Sequence, residues 1–125
     1  MPSPQTLEAF IQAVEQQPHD EVIAQYYTED ASIQENQNDP RVGLPNLIEN
    51  ERKMLHRALN VQSACIRPYF QSDNKVAIRW KFRFEWKDHS ITEIEEMAYQ
   101  EWEGEKIKRE QFFYDPQQFV PKPAI

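Results

Sequence analysis

Over residues 76–86 large apolar side chains occupy every second position: Val76, Ile78, Trp80, Phe82, Phe84 and Trp86. Arg79, Lys81, Arg83 and Glu85 stand between them. A period of two held this long is a β-strand with one face buried and the other in water. Four aromatic rings on one strand face need a second layer to cover them, so the strand belongs to a sheet roofed by helices.

The same period marks residues 61–70, 91–102 and 106–114 as further strands, separated by the turn segments Ser72-Asp73-Asn74, Asp88-His89-Ser90 and Glu103-Gly104. The helices come earlier. Thr6 can cap a helix carrying Leu7, Phe10, Ile11 and Val14 on one side and ending near Gln16-Gln17-Pro18. Asp20 can cap a second, with Val22, Ile23, Tyr26 and Tyr27 on one side and Thr28-Glu29-Asp30 at its end. Residues 31–35 form a short strand, and Asn36-Gln37-Asn38-Asp39-Pro40 is a turn-rich loop suited to function. A third helix over residues 45–59 carries Leu47, Ile48, Met54, Leu55, Ala58 and Leu59 on one stripe. Glu49, Glu51, Arg52, Lys53 and Arg57 are expected to face water. The fold class is α+β, three helices packed on a curved, mainly antiparallel sheet. With 125 residues, 39% of them hydrophobic, the chain makes one domain. Its core spans about residues 4–116, and Pro121 and Pro123 mark 117–125 as an extended tail.

Charge removes several functional classes. The net charge of -7 repels polyanions, so neither nucleic acid nor an anionic membrane is an expected partner. Met1-Pro2-Ser3-Pro4 lacks the basic and apolar regions of a secretory leader, and no segment is apolar for long enough to span a bilayer, which predicts a cytoplasmic protein. Cys65 is the only cysteine, and with His19, His56 and His89 scattered along the chain no metal ligand set and no cofactor are expected. Cys65 and Ser63 lack the context of an activated nucleophile.

Carboxylates near the aromatic face carry the chemistry. Glu35 follows the Tyr26-Tyr27-Thr28-Glu29-Asp30-Ala31 segment and leads into the loop. It is either a general base at the mouth of an apolar pocket or a surface carboxylate. If Asp88-His89-Ser90 is the hairpin loop, Phe84 lies opposite Ile94, Phe82 opposite Glu96, Trp80 opposite Ala98, and Arg83 opposite Glu95 outside. Glu96 then sits among aromatics, as a second acid-base group or as a buried acid neutralised by Arg67 or Arg109. Glu110 faces outward with a two-residue loop at Glu103-Gly104 and inward with a three-residue one. The expected pocket lining is Tyr26, Tyr27, Arg67, Trp80, Phe82, Phe84, Ala98, Phe112 and Tyr114, joined by Glu110 if its strand turns it inward, with Glu35 and Glu96 as the catalytic pair. Arg79, Lys81, Arg83, Glu93, Glu95 and Tyr99 on the outer face form a mixed-sign surface suited to a homodimer.

The order of elements, with Tyr27-Thr28-Glu29-Asp30-Ala31, Pro40-Arg41-Val42-Gly43, and Gly104-Glu105-Lys106-Ile107 through Tyr114-Asp115-Pro116, resembles the nuclear transport factor two superfold. The nearer likeness is to its SnoaL-like branch, which includes polyketide cyclases and lies near the ketosteroid isomerases. That resemblance implies a cone-shaped fold, a pocket for a small hydrophobic molecule, and a general base on the first strand, at the place of Glu35. Relatives of this kind commonly dimerise through the outer sheet face. The isomerases' oxyanion donors would fall at Phe10 or Ile11 and at Ala98, and the cyclases' His and Asp near Glu110 and Phe112, so neither donor set is present. The implied activity is a cofactor-free isomerase, cyclase or lyase acting on a hydrophobic carbonyl compound. The alternative is a binding or dimerisation module of the same fold.

Overall fold

The computed structural model describes residues 1–123. Helices α1 (Pro4–Gln16) and α2 (His19–Tyr26) lead directly into strand β1 (Tyr27–Glu35). The two-residue strand β2 (Arg41–Val42) and helix α3 (Leu44–Arg57) follow. A meander of β3 (Ala58–Ser72), β4 (Lys75–Trp86), β5 (Ile91–Glu103) and β6 (Lys106–Phe113) completes one six-stranded sheet, ordered β2-β1-β6-β5-β4-β3. Only β1 and β6 run parallel. Among the described residues no helix is long and apolar enough to cross a membrane.

The starts of α1 and α2 differ from their sequence expectations. Ser3, not Thr6, caps α1: its hydroxyl accepts from the Thr6 N–H at 3.1 Å, with Pro4 in the first turn, where a missing N–H costs nothing. Helix α2 begins one residue before Asp20 with no side-chain cap. At α3, Gly43 supplies the positive φ of 96° that turns β2 into the helix. Leu59, expected on the α3 stripe, instead lies in β3 and is 53% exposed. Pro68 is tolerated in β3 because that strand is at the sheet edge.

The inner face of β4 is buried as its period requires, with Leu7, Phe10 and Ile11 of α1, Val22 and Ile23 of α2 and Leu47 of α3 in the same core. The β4–β5 register differs by two residues from the expected one. Phe84 pairs with Thr92, Phe82 with Ile94, Trp80 with Glu96 and Ile78 with Ala98. The loop closes one residue earlier, with the Trp86 N–H donating to the Ser90 carbonyl at 2.9 Å and His89 at a positive φ of 69°. A slip of two preserves the faces, so the aromatic stripe still points inward. Arg83 therefore faces Glu93, while Glu95 takes its ion pair from Arg79 at 2.7 Å.

Residues 116–122 are more ordered than the extended tail expected over 117–125, of which residues 124 and 125 lie outside the described residues. A 3-10 turn (Pro116–Phe119), capped by Asp115, lays Phe119 against Phe84, Trp86 and Tyr114. Lys122 then bridges to Ile91. Buried Thr92 ties the two together, accepting from Trp86 Nε1 at 2.8 Å and donating to the Phe119 carbonyl at 3.1 Å. The anchored part of the domain thus runs to Lys122, because Phe119 covers the end of the aromatic stripe.

Candidate functional site

Between the helices and the concave face of the sheet lies a cavity of about 650 Å³. Its apolar wall comes mainly from the β4 stripe, Trp80, Phe82 and Phe84, with Phe10, Ile33 and Phe119 around it. Four carboxylates line it: Glu35, Glu51, Glu96 and Glu110. In an apolar enclosure each is costly as an anion unless something answers its charge, and the four are answered differently.

Glu35 is fully partnered. The β1–β2 pairing sets Arg41 beside Ile33, and from there Arg41 Nη1 reaches Glu35 Oε2 at 3.0 Å. On the other side the Tyr114 hydroxyl donates to Glu35 Oε1 at 3.0 Å. Asn36 secures that arrangement: its N–H donates to the Phe112 carbonyl at 2.7 Å, and its side chain accepts from the Tyr114 N–H at 3.0 Å. Burial, and after it the neighbouring negative charge of Glu35, raise the Tyr114 hydroxyl well above its ordinary range, so it remains a proton donor. The Nε of Arg41 is buried without a hydrogen-bond partner among the described residues.

Among the described residues Glu96 has no such answer. Neither expected counter-ion reaches it. Arg67 grips Glu8 of α1 through two hydrogen bonds of 2.9 and 2.7 Å outside the cavity, and Arg109 meets Glu101 at 3.7 Å on the outer sheet face. Burial, with the charges of Glu110, Glu35 and Glu51 adding to it, raises the Glu96 carboxyl to about 8. At neutral pH it is a neutral acid, able to donate a hydrogen bond into the cavity.

Glu110 is fully buried and faces inward. The hairpin loop is the two-residue Gly104-Glu105, which alone would turn it outward. A bulge at Lys108 reverses the alternation, since Trp102 pairs with Ile107 but Glu101 with Arg109. The Tyr27 hydroxyl donates to Glu110 Oε1, and Gln100 Nε2 donates to Oε2 at 2.7 Å. Trp102 Nε1, a donor only, holds the Gln100 oxygen at 2.9 Å and thereby fixes which way that amide points. Desolvation outweighs these two donors and raises Glu110 to about 7. Burial first, and then the adjacent Glu110, push the Tyr27 hydroxyl far up.

Glu51 was expected in water but points into the cavity, where His19 Nδ1 lies 3.3 Å away and His19 Nε2 meets Ser63 Oγ at 2.9 Å. Helix α3 faces a cavity and not a filled core, so its inner side tolerates Glu51, Lys53 and Arg57 as lining. Three expected lining residues lie elsewhere. Tyr26 packs edge-on against Phe10 at 5.3 Å because the helix ends between it and Tyr27, sending the two rings different ways. Arg67 extends from the edge strand to Glu8, its side chain 52% exposed. Ala98 is sealed in the core opposite Ile78. Tyr27, Trp80, Phe82, Phe84, Glu110, Phe112 and Tyr114 do line the cavity with Glu35 and Glu96. Arg41, His19 and Glu51 were missed. Gln100 was legible as a polar member, beside Glu96, of the inward series Ile94, Glu96, Ala98, Gln100, Trp102.

The fold defined by this sheet, its helices and the cavity between them is the nuclear transport factor two-like, ketosteroid isomerase-like fold. A hypothetical protein with a ketosteroid isomerase-like fold from Catenulispora acidiphila DSM 44928, solved in complex with trimethylamine, has 12% identity and a TM-score of 0.77, covering 94% of this chain and 91% of its own. A nuclear transport factor two-like protein from Burkholderia pseudomallei K96243, of unknown function, has 10% identity and a TM-score of 0.78, covering 93% and 92%. A protein described as a SnoaL-like polyketide cyclase from Mesorhizobium loti has 18% identity and a TM-score of 0.76, covering 91% and 100%. No family model matches the sequence, and no curated protein matches it. At such identities the likeness establishes the fold and leaves the reaction to the residues of the cavity.

Proposed function

We propose that the protein is a small-molecule enzyme of SnoaL-like type, a cofactor-free isomerase, cyclase or lyase that moves a proton next to the carbonyl of a hydrophobic compound. One observation carries the reading: a single apolar cavity holds a partnered carboxylate, Glu35, and an unpartnered one, Glu96, which stays protonated to about pH 8. Two carboxyls in unlike environments are how one site supplies a base and an acid together. Glu35 takes the proton from the carbon beside the carbonyl, and the C–H electron pair moves toward oxygen. Protonated Glu96 hydrogen-bonds the oxygen as its charge grows. Return of the proton from Glu35 to carbon completes an isomerisation, while attack of the enolate carbon on a second carbonyl of the same molecule gives cyclisation, the π electrons of that carbonyl moving to its oxygen and the proton held by Glu35 passing to the alkoxide so formed. Arg41 and Tyr114 hold Glu35 at the cavity wall.

The test needs no knowledge of the natural substrate. β-Tetralone, a hydrophobic ketone with acidic α-hydrogens, is incubated with the protein in D2O and its deuterium uptake followed by proton NMR. Glu35→Gln is expected to lower uptake by about 100-fold or more, with ketone binding, read by tryptophan fluorescence, retained. Uptake at the native rate in Glu35→Gln refutes the assignment. Absence of uptake over a series of ketones that bind favours the alternative, a binding module of the same fold.

We also propose a homodimer through the outer sheet face. Met97, Tyr99 and Phe113 are 38%, 46% and 40% exposed there, beside the Arg79–Glu95 pair, and Met97 and Phe113 are register partners. An apolar centre with mixed charges around it suits a two-fold contact. Sedimentation of the native protein should give a dimer that Tyr99→Glu dissociates; a monomer at all concentrations refutes this.

A further inference from the structure

The buried triad of Tyr27, Glu110 and Gln100 carries a function beyond lining. Gln100 is locked by Trp102 so that only its N–H groups face Glu110, and it donates to Oε2. Oε2 is therefore always an acceptor. Oε1 is left facing the hydroxyl of Tyr27, a residue that also lines the cavity. With Glu110 ionised, the phenol proton is spent on Oε1. With Oε1 protonated, the carboxyl donates to the phenol oxygen, and the phenol proton is released toward the cavity.

We infer that Tyr27 is a second hydrogen-bond donor to the carbonyl oxygen of the ligand, and that Glu110, the positioning residue behind it, switches this donor on when protonated and off when ionised. The inference rests on the reading of the cavity as a carbonyl site. The titratable groups facing the pair are Glu51 from α3 and Glu96 from β5, with His19 of α2 bonded to Glu51; Gln100 of β5 and Tyr27 of β1 complete its surroundings. Glu110 changes charge at about 7, and Tyr27 stays a phenol throughout, so the donor fades as pH rises through neutrality.

The test uses the variants Tyr27→Phe and Glu110→Gln. A glutamine at position 110 accepts from Gln100 and donates to Tyr27, as protonated Glu110 does, and so holds the switch on. The infrared carbonyl stretch of bound β-tetralone reports donors to its oxygen. In the native protein a red-shifted band at pH 6 is expected to weaken through pH 7, with affinity falling about three- to tenfold. Tyr27→Phe should lack that component at pH 6, and Glu110→Gln should keep it at pH 8. Carbon NMR of the Tyr27 ring carbon bearing the hydroxyl, without ligand, should show a step near pH 7 that Glu110→Gln abolishes. An unchanged band in Tyr27→Phe, or the native pH dependence persisting in Glu110→Gln, overturns the inference. Failure of β-tetralone to bind overturns the donor role, and the NMR step then decides whether the switch exists. Loss of this result leaves deuterium uptake through Glu35 standing, and loss of uptake leaves the band and its switch standing.

Discussion

Replacing Glu96 by glutamine should change how stability responds to pH more than it changes stability at any one pH. The native carboxyl is raised from an ordinary 4.5 to about 8 by burial and by Glu110, Glu35 and Glu51. The folded protein therefore holds this proton more tightly than the unfolded chain does. The stabilisation is complete below 4.5, declines as pH rises, and is gone above 8. A tenfold change in proton affinity is about 1.4 kcal/mol, so the full span is roughly 5 kcal/mol. Glu96 keeps some solvent contact and shares its repulsion with Glu110, which reduces the expectation to roughly 3 kcal/mol between pH 5 and pH 9. Urea unfolding followed by the fluorescence of Trp80, Trp86 and Trp102, all buried, measures it. The native protein should lose that much more stability over the interval than Glu96→Gln. The exposed neighbour Glu95, paired with Arg79, serves as control: Glu95→Gln should follow the native curve to within about 1 kcal/mol. Native and Glu96→Gln curves that run parallel would show that Glu96 is solvated and ionised like any surface acid, and the acid role assigned to it would fall.

Arg41→Met should change urea stability by less than about 1 kcal/mol, since both members of its pair with Glu35 reach solvent, at 35% and 33% exposure. It should nonetheless cut deuterium uptake into β-tetralone at least about tenfold, because Glu35 keeps only the Tyr114 donor to position it. Ser3→Ala should cost about 1 kcal/mol of stability through loss of the α1 cap, while Thr6→Ala leaves that cap in place. Gly43→Ala should destabilise by about 1–2 kcal/mol from backbone strain at a φ of 96°, the new methyl group meeting only an ordinary van der Waals contact with Asn46 Nδ2 at 3.7 Å; thermal unfolding would show it.

Local pattern accounts for most of the fold. The alternation of residues 76–86 set which rings face inward, and it held although the hairpin register differed by two, because faces depend only on parity. Parity also explains why Glu110 was undecidable. The bulge at Lys108 inverts it, and no residue there announces a bulge. Arg67 and Ala98 were placed in the pocket by position along strands, whereas the observed register and the edge location of β3 put one outside and the other beneath it. Tyr26 was lost to a helix that ends one residue before its neighbour.

By itself the sequence determined the class of fold, the apolar wall, and the presence of carboxylates near it, since periodicity and composition act over a few residues and survive errors of register. Only the tertiary structure decided which carboxylate is partnered. Arg41 returns to Glu35 across the β1–β2 pairing, Tyr114 comes from beyond β6, and the arginines that might have neutralised Glu96 turn to Glu8 and Glu101. The protonation of a buried acid follows from everything within a few ångströms of it, and those neighbours come from distant parts of the chain.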